Sequence, residues 1–263
     1  MKMTSTLLAI CTALASLPAI ARPEPKPDIV LVHGAFETAA IWNGVEVALR
    51  HDGYRVLSVD LPGRPGSPEP SDAVSLDVYR RVVLEAINKA RRPVILVGHS
   101  FGGMVISSVA DAAPEKVRTL VYVAALLPRD GDSLLSLAAA DPGSQVAPHL
   151  IVDKASGIAS IAEDARGALF ANDADAGVQA VVAKAVVPEP LAPLAEPIHL
   201  SGALASVDKV YIHTARDQVV SPAGQAAMVA ATPVRKEVSL DTGHTPFVTN
   251  PAALVAAIEQ ATM

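Results

Sequence analysis

The sequence predicts a domain of the α/β class: a mostly parallel, six-stranded, doubly wound sheet with a helical cap inserted after the fourth strand. Three observations predict it. Six short β-branched runs are apolar almost throughout, as parallel strands covered on both faces must be. Between them lie segments whose apolar residues recur at three- and four-residue spacing, the period of a helix that buries one face. Finally, 51% hydrophobic and 18% charged residues in a chain of 263 is the composition of one domain with a large core.

Taken in order, the strand runs are Ile29 to Val32, Arg55 to Val59, Val94 to Val97, Val117 to Val123, Lys209 to His213 and Lys236 to Leu240. Helical spacing appears at Ile41, Val45, Ala48 and Leu49, and again at Tyr79, Val82, Val83, Ala86, Ile87 and Ala90. Start signals agree with this reading. Ser75 can cap the second helix, and Ser221-Pro222 and Asn250-Pro251 each put a capping side chain before a proline at the first helical position. Strand and helix alternation gives the doubly wound architecture.

One stretch departs from the alternation. Residues 127–207 hold no convincing β-run, only Ala-rich helical patterns and the proline-punctuated Val187-Pro188-Glu189-Pro190. A segment this long is too large for a simple loop. Its position predicts a mostly helical cap over the carboxyl end of the sheet, with 22–126 and 208–263 forming the core domain.

At the amino terminus, Lys2 precedes an apolar run from Leu7 to Ile20 that ends in Ala19-Ile20-Ala21. The run is short of the roughly 20 apolar residues of a bilayer span, and its small residues suit signal peptidase, so 1–21 is expected to be a signal peptide. The mature chain is then exported, periplasmic or secreted, without stable membrane insertion. Cys11 follows Ile10 rather than a small residue, which excludes a lipobox. Cleavage after Ala21 removes Lys2, taking the formal net charge from -6 to -7, and removes the only cysteine. No disulfide and no cysteine nucleophile remain in such a mature chain. The acidic balance also offers no basic surface for a phosphate backbone, so nucleic acid is not an expected partner.

Chemistry is concentrated after the third strand, where Gly98-His99-Ser100-Phe101-Gly102-Gly103 runs into the apolar stretch Met104 to Ala112. This is G-x-S-x-G between a strand and a helix, a sharp turn that exposes a serine hydroxyl at the sheet's carboxyl edge. Such a hydroxyl is a weak nucleophile and needs a base. His244, between the last strand and the last helix, has the required placement; His33, His51, His99, His149, His199 and His213 do not. The orienting carboxylate should lie between serine and histidine in chain order, at a strand end. Asp217 satisfies this, with Asp130 or Asp132 after the fourth strand as the alternative, while Asp241 is too near His244 to reach around it. Two backbone N–H groups, of Phe101 and of Ala35 in the loop His33-Gly34-Ala35-Phe36, are the expected oxyanion donors. No cofactor or metal is required.

These residues resemble those of the α/β-hydrolases related to plant methylesterases, the salicylate-binding esterase and hydroxynitrile lyases. The resemblance rests on Val32-His33-Gly34-Ala35 with Trp42 downstream, on Asp60-Leu61-Pro62-Gly63, on the serine elbow, and on Asp217 and His244. In the cap, Leu169-Phe170-Ala171-Asn172-Asp173 and Pro188-Glu189-Pro190-Leu191 are similar to the same group. It implies the α/β-hydrolase fold and a serine carboxylesterase acting on a small to medium, largely apolar ester, since bacterial members include carboxylesterases for hydrophobic esters such as pyrethroids. Lyases of the group carry threonine where this chain has Gly34 and lysine where it has Thr245, which disfavours lyase activity; a slow-turnover ligand-binding receptor is the other alternative. With aromatic residues at only 3%, the pocket is expected to be aliphatic, with Gly34, Phe36, Trp42 and Phe170 contacting the substrate and Phe101 as a further contributor.

Overall fold

The structure, a computed structural model, describes residues 26–263; the expected signal peptide at 1–21 lies outside them. Six strands, β1 (Ile29–Val32), β2 (Val56–Val59), β3 (Val94–His99), β4 (Val117–Val123), β8 (Asp208–Thr214) and β9 (Lys236–Leu240), form one sheet in the order β2-β1-β3-β4-β8-β9. Every pairing in it is parallel. Because side chains alternate along a strand, each strand feeds two cores. Val30, Val32, Leu96 and Leu120 face α2 (Leu76–Ile87), α3 (Gly102–Ala112) and α8 (Pro222–Ala231). Ile29, Leu31, Ile95, Val121 and Val210 face α1 (Asn43–His51) and α9 (Pro251–Ala261) on the other side.

The expected caps are made. Ser75 Oγ accepts from the Val78 N–H, Ser221 Oγ from Gly224 and Asn250 from Ala253, satisfying amide groups that the first helical turn leaves without partners.

Between β4 and β8 lie the helices α4 (Leu134–Ala139), α5 (Arg166–Phe170), α6 (Ala176–Ala185) and α7 (Leu191–Ala195). The segment also holds strands that its sequence does not signal. β5 (Leu150–Asp153), β6 (Ile158–Ile161) and β7 (Glu189–Pro190) form a three-stranded antiparallel sheet. The runs are too short and too mixed with Ala, Ser and Pro to show a period, and pairing with each other is what makes them strands. No described helix is long and apolar enough to cross a membrane.

Strand order reverses between β1 and β3, since β1 connects outward to β2 while β3 lies on its other side. A crevice opens at the carboxyl ends of strands at such a point. Among the described residues, the three non-glycine residues with left-handed backbone all sit in loops after neighbouring strands there: Phe36 (φ 63°) after β1, Ser100 (φ 51°) after β3 and Ala124 (φ 47°) after β4. This conformation costs an L-residue free energy and persists only where surroundings enforce it.

Candidate active site

Ser100 is held in its turn by three backbone hydrogen bonds. Its N–H donates to Val123 O (3.1 Å), and its carbonyl accepts from Gly103 and Leu126 (both 3.0 Å). The turn can be this tight because Gly102 lies against β1, where a Cβ would come within 2.7 Å of His33 O and 2.8 Å of Val32 O. Ser100 is 8% exposed and opens into a cavity of about 210 Å³ lined mainly by apolar groups, among them Ala35, Phe36, Leu126, Leu137, Phe170 and Met228.

Asp217 and His244 are brought together from the loops after β8 and β9. His244 Nδ1 and Asp217 Oδ2 are 2.8 Å apart, with both side chains essentially buried. The carboxylate is fixed on every side: Oδ2 also accepts from Thr214 Oγ1 (2.8 Å), and Oδ1 from the N–H groups of Val219 (2.7 Å) and Val220 (3.0 Å). An acceptor at Nδ1 places the ring proton there and leaves Nε2 with its lone pair. His244 Nε2 is buried and has no hydrogen-bond partner among the described residues. The alternative acids are committed elsewhere. Asp130 accepts from the Leu200 N–H, Asp132 from that of Arg129, and the exposed Asp241 pairs with Arg216.

Ala35 lines the cavity beside Ser100, and the N–H groups of Ala35 and Phe101 meet no acceptor among the described residues. The Phe101 ring itself turns into the core, edge-on to Tyr79. Phe36 and Phe170 contact each other edge to face, 6.5 Å between centroids, and form the wall between the first cavity and a second, of about 200 Å³, bordered by Ile41, Val182, Val186 and Phe247.

Two of the expected substrate contacts, Trp42 and Gly34, lie away from both cavities. Trp42 ends a 3₁₀ turn, Ala39–Trp42, that carries its ring beneath the sheet, where it is fully buried against Phe247 and His99 and borders neither cavity. Gly34 likewise borders neither cavity. It is glycine because a Cβ there would lie 2.7 Å from Ser100 Cβ; its place is to let the two loops touch.

Several charged groups around the site escaped sequence reasoning. Glu37 accepts from the Gly34 N–H (2.7 Å) and lies 2.9 Å from His99 Nδ1. Glu189 of β7 accepts from the Phe36 N–H (2.9 Å) and pairs with Arg64. Burial pushes the Glu189 carboxyl up, with Arg64 opposing. The only available signal for these was acidic residues set in apolar surroundings. His33 fixes the loop from the other side: Nδ1 lies 2.8 Å from Gly34 O, and Nε2 accepts from the Leu61 N–H at 3.1 Å. Burial, reinforced by the Arg64 guanidinium, pushes His33 down to about 4. It is therefore a neutral tie between the two sequence motifs, Asp60 adding a bond to the Ala39 N–H at 2.7 Å.

Known proteins resemble this chain in sequence and in fold. A pyrethroid hydrolase from Sphingobium wenxiniae is 30% identical over 241 residues, 88% of this chain and 86% of that protein. A carbendazim hydrolyzing esterase from a Nocardioides species is 43% identical over 112 residues, 42% of this chain and 46% of that protein. The crystal structure of a pyrethroid hydrolase from Sphingobium faniae is similar with a TM-score of 0.79 at 27% identity, covering 90% of this chain and 97% of that one. With the pattern described as the "Alpha/beta hydrolase family" matching residues 29–258, the chain belongs to the alpha/beta hydrolase family.

Proposed function

We propose that this chain is a serine carboxylesterase that cleaves a small to medium, largely apolar ester through an acyl-enzyme. Relatives named as hydrolases and esterases support ester hydrolysis in general. The finer reading is carried by one observation: a buried Asp217–His244 pair whose outer nitrogen is unpartnered, in the same fold edge as a strained serine at an apolar cavity.

In this reading Ser100 Oγ adds to the ester carbonyl and its proton passes to His244 Nε2. Asp217 stabilises the imidazolium, and the Ala35 and Phe101 N–H groups receive the oxyanion. Collapse expels the alcohol, which takes the proton from His244. Water then adds to the acyl carbon, gives a proton to His244, and the acid leaves as Ser100 regains its hydrogen. Apolar substrate surface is buried against the cap.

Two features speak against the lyase alternative. Thr245, where the lyases have lysine, donates its hydroxyl to Phe170 O (2.9 Å) and so ties the base loop to the cap. At Gly34 there is no room for a side chain beside Ser100. A slow-turnover receptor differs only in rate, so the experiment is hydrolysis of p-nitrophenyl acetate and butyrate. Wild type should turn over and be labelled by a fluorophosphonate at Ser100 alone, while folded Ser100→Ala should lose several orders of magnitude. Labelling elsewhere, or full activity in the variant, overturns the reading.

Export is proposed on the short apolar run and the Ala19-Ile20-Ala21 site. Mass spectrometry of protein made in a Gram-negative host should find Arg22 at the amino terminus; intact Met1 in membrane pellets would refute it.

A further inference from the structure

Glu37 and His99 form a second buried carboxylate–imidazole pair, one layer behind Asp217 and His244. A single oxygen, Glu37 Oε2, accepts from the Gly34 N–H at 2.7 Å and faces His99 Nδ1 at 2.9 Å. The other ring nitrogen of His99, Nε2, lies 2.8 Å from the carbonyl oxygen of His244. A carbonyl oxygen only accepts, so Nε2 carries a proton. Glu37 Oε2 already accepts from the Gly34 N–H, and an ionised Glu37 accepts from Nδ1 as well, which makes His99 an imidazolium; the pair is enclosed by the edge-on rings of Trp42 (6.3 Å) and Phe247 (5.0 Å).

The charges agree with that geometry. Burial pushes the Glu37 carboxyl up, but the charge of His99 and its hydrogen bond outweigh burial and hold it below its usual value. Burial pushes His99 down, but Glu37 and the His244 carbonyl outweigh it and hold the ring above its usual value. The titratable groups facing His99 are Glu37, His244 and, beyond it, Asp217.

An ion pair taken wholly out of water is a poor way to gain stability compared with apolar side chains of the same volume. What this pair supplies is connection. It joins the residue before Ala35, the residue before Ser100 and the backbone of His244, three segments at the carboxyl ends of β1, β3 and β9. Neither residue borders the cavity that holds Ser100. We infer that the Glu37–His99 ion pair is a positioning device, fixing the proposed oxyanion loop, the serine turn and the His244 backbone relative to one another; this rests on the roles proposed above for Ser100 and His244.

Charge is essential to the device. Glu37→Gln preserves shape but leaves His99 neutral, with one ring N–H. With the Gln oxygen toward the ring, either the bond to the His244 carbonyl or the bond to residue 37 is lost; with its NH₂ toward the ring, both of those survive but the Gly34 N–H loses its acceptor. Displacements of this kind reduce the chemical step rather than substrate affinity.

The test compares wild type with Glu37→Gln and Glu37→Asp on p-nitrophenyl butyrate. We expect kcat of Glu37→Gln to fall at least about tenfold with KM within about threefold, with phosphonylation of Ser100 by a fluorophosphonate slowing in proportion. Glu37→Asp, which keeps the charge, should recover part of that loss. Nitrogen-15 NMR of wild type should show both His99 ring nitrogens protonated between pH 6 and 8, and Glu37→Gln only one. Wild-type kcat in Glu37→Gln, a change confined to melting temperature, or a singly protonated His99 in wild type at pH 7 overturns the inference; the last needs no variant to fold. If wild type itself neither hydrolyses the ester nor reacts at Ser100, the proposed function fails first.

Discussion

Glu189 of the cap accepts the backbone N–H of Phe36 at 2.9 Å, so the loop beside Ala35 is pinned by a side chain 153 positions further along. Arg64 satisfies the other carboxylate oxygen at 2.5 Å, and Tyr79 adds its hydroxyl at 3.4 Å. Left-handed backbone at Phe36 needs some such restraint.

Removing Arg64 should therefore be expensive. Arg64→Met leaves Glu189 buried without its cation, a change that costs about 3–5 kcal/mol, or roughly 6–20 °C in Tm for a chain of this size. The double variant Arg64→Met/Glu189→Gln should cost less than the sum of the two singles, because each single leaves the other residue stranded. Additive losses in thermal melts would show that the two side chains act independently.

His33 should give the fold an acid-sensitive window. Its folded value of about 4 lies below the ordinary 6.5. Between those pH values the unfolded chain binds a proton that the folded chain refuses, so stability falls as pH drops from 6.5 and the loss is complete near 4. The size is about 3 kcal/mol. His33→Gln, which cannot titrate, should consequently look more destabilised in urea melts at pH 7.5 than at pH 4.5. An equal deficit at both would mean that His33 is not held neutral.

The orienting acid can be settled by one comparison. Asp217→Asn keeps the volume beside His244 but cannot stabilise an imidazolium and disturbs the tautomer, and kcat should fall at least about a hundredfold. Asp130→Asn loses only an acceptor for Leu200 and should change little. Circular dichroism checks that both fold, and an inactive Asp130→Asn would move the acid to the loop after β4.

Substrate range should depend on the Phe36–Phe170 wall. Phe170→Leu thins the partition between cavities of about 210 and 200 Å³. Turnover of bulky esters relative to acetate should rise about fivefold, the range that small changes in apolar pocket volume produce. An unchanged ratio across p-nitrophenyl esters of increasing size would exclude the wall from selectivity.

How much of this the sequence conveys depends on the physics of each part. Strands buried on both faces and helices with one apolar stripe show their period directly, which is why the six-strand sheet and the caps at Ser75, Ser221 and Asn250 were legible. The Asp217–His244 pairing was legible because a serine needs a base and the base an acid, each on a strand-end loop. That Trp42 and Gly34 lie off both cavities was not legible, because pocket lining depends on how a short turn rolls over the sheet, which no period records. Glu37 and Glu189 were hard to read for a different reason: an acidic residue outside a regular apolar period is usually solvated, and only the tertiary partners His99 and Arg64 keep these two inside.

The long reach from Phe36 to Glu189 also sets a timetable for synthesis. A growing chain presents Ser100 and the Ala35 loop early, but the carboxylate that restrains Phe36 is added nearly ninety residues after the serine, and Asp217 and His244 later still. Nascent chains through β4 thus carry the proposed nucleophile with neither its proposed base nor a restrained loop. On that proposal, competence arrives only once the last loop is made, and a half-built chain leaves any ester it meets intact.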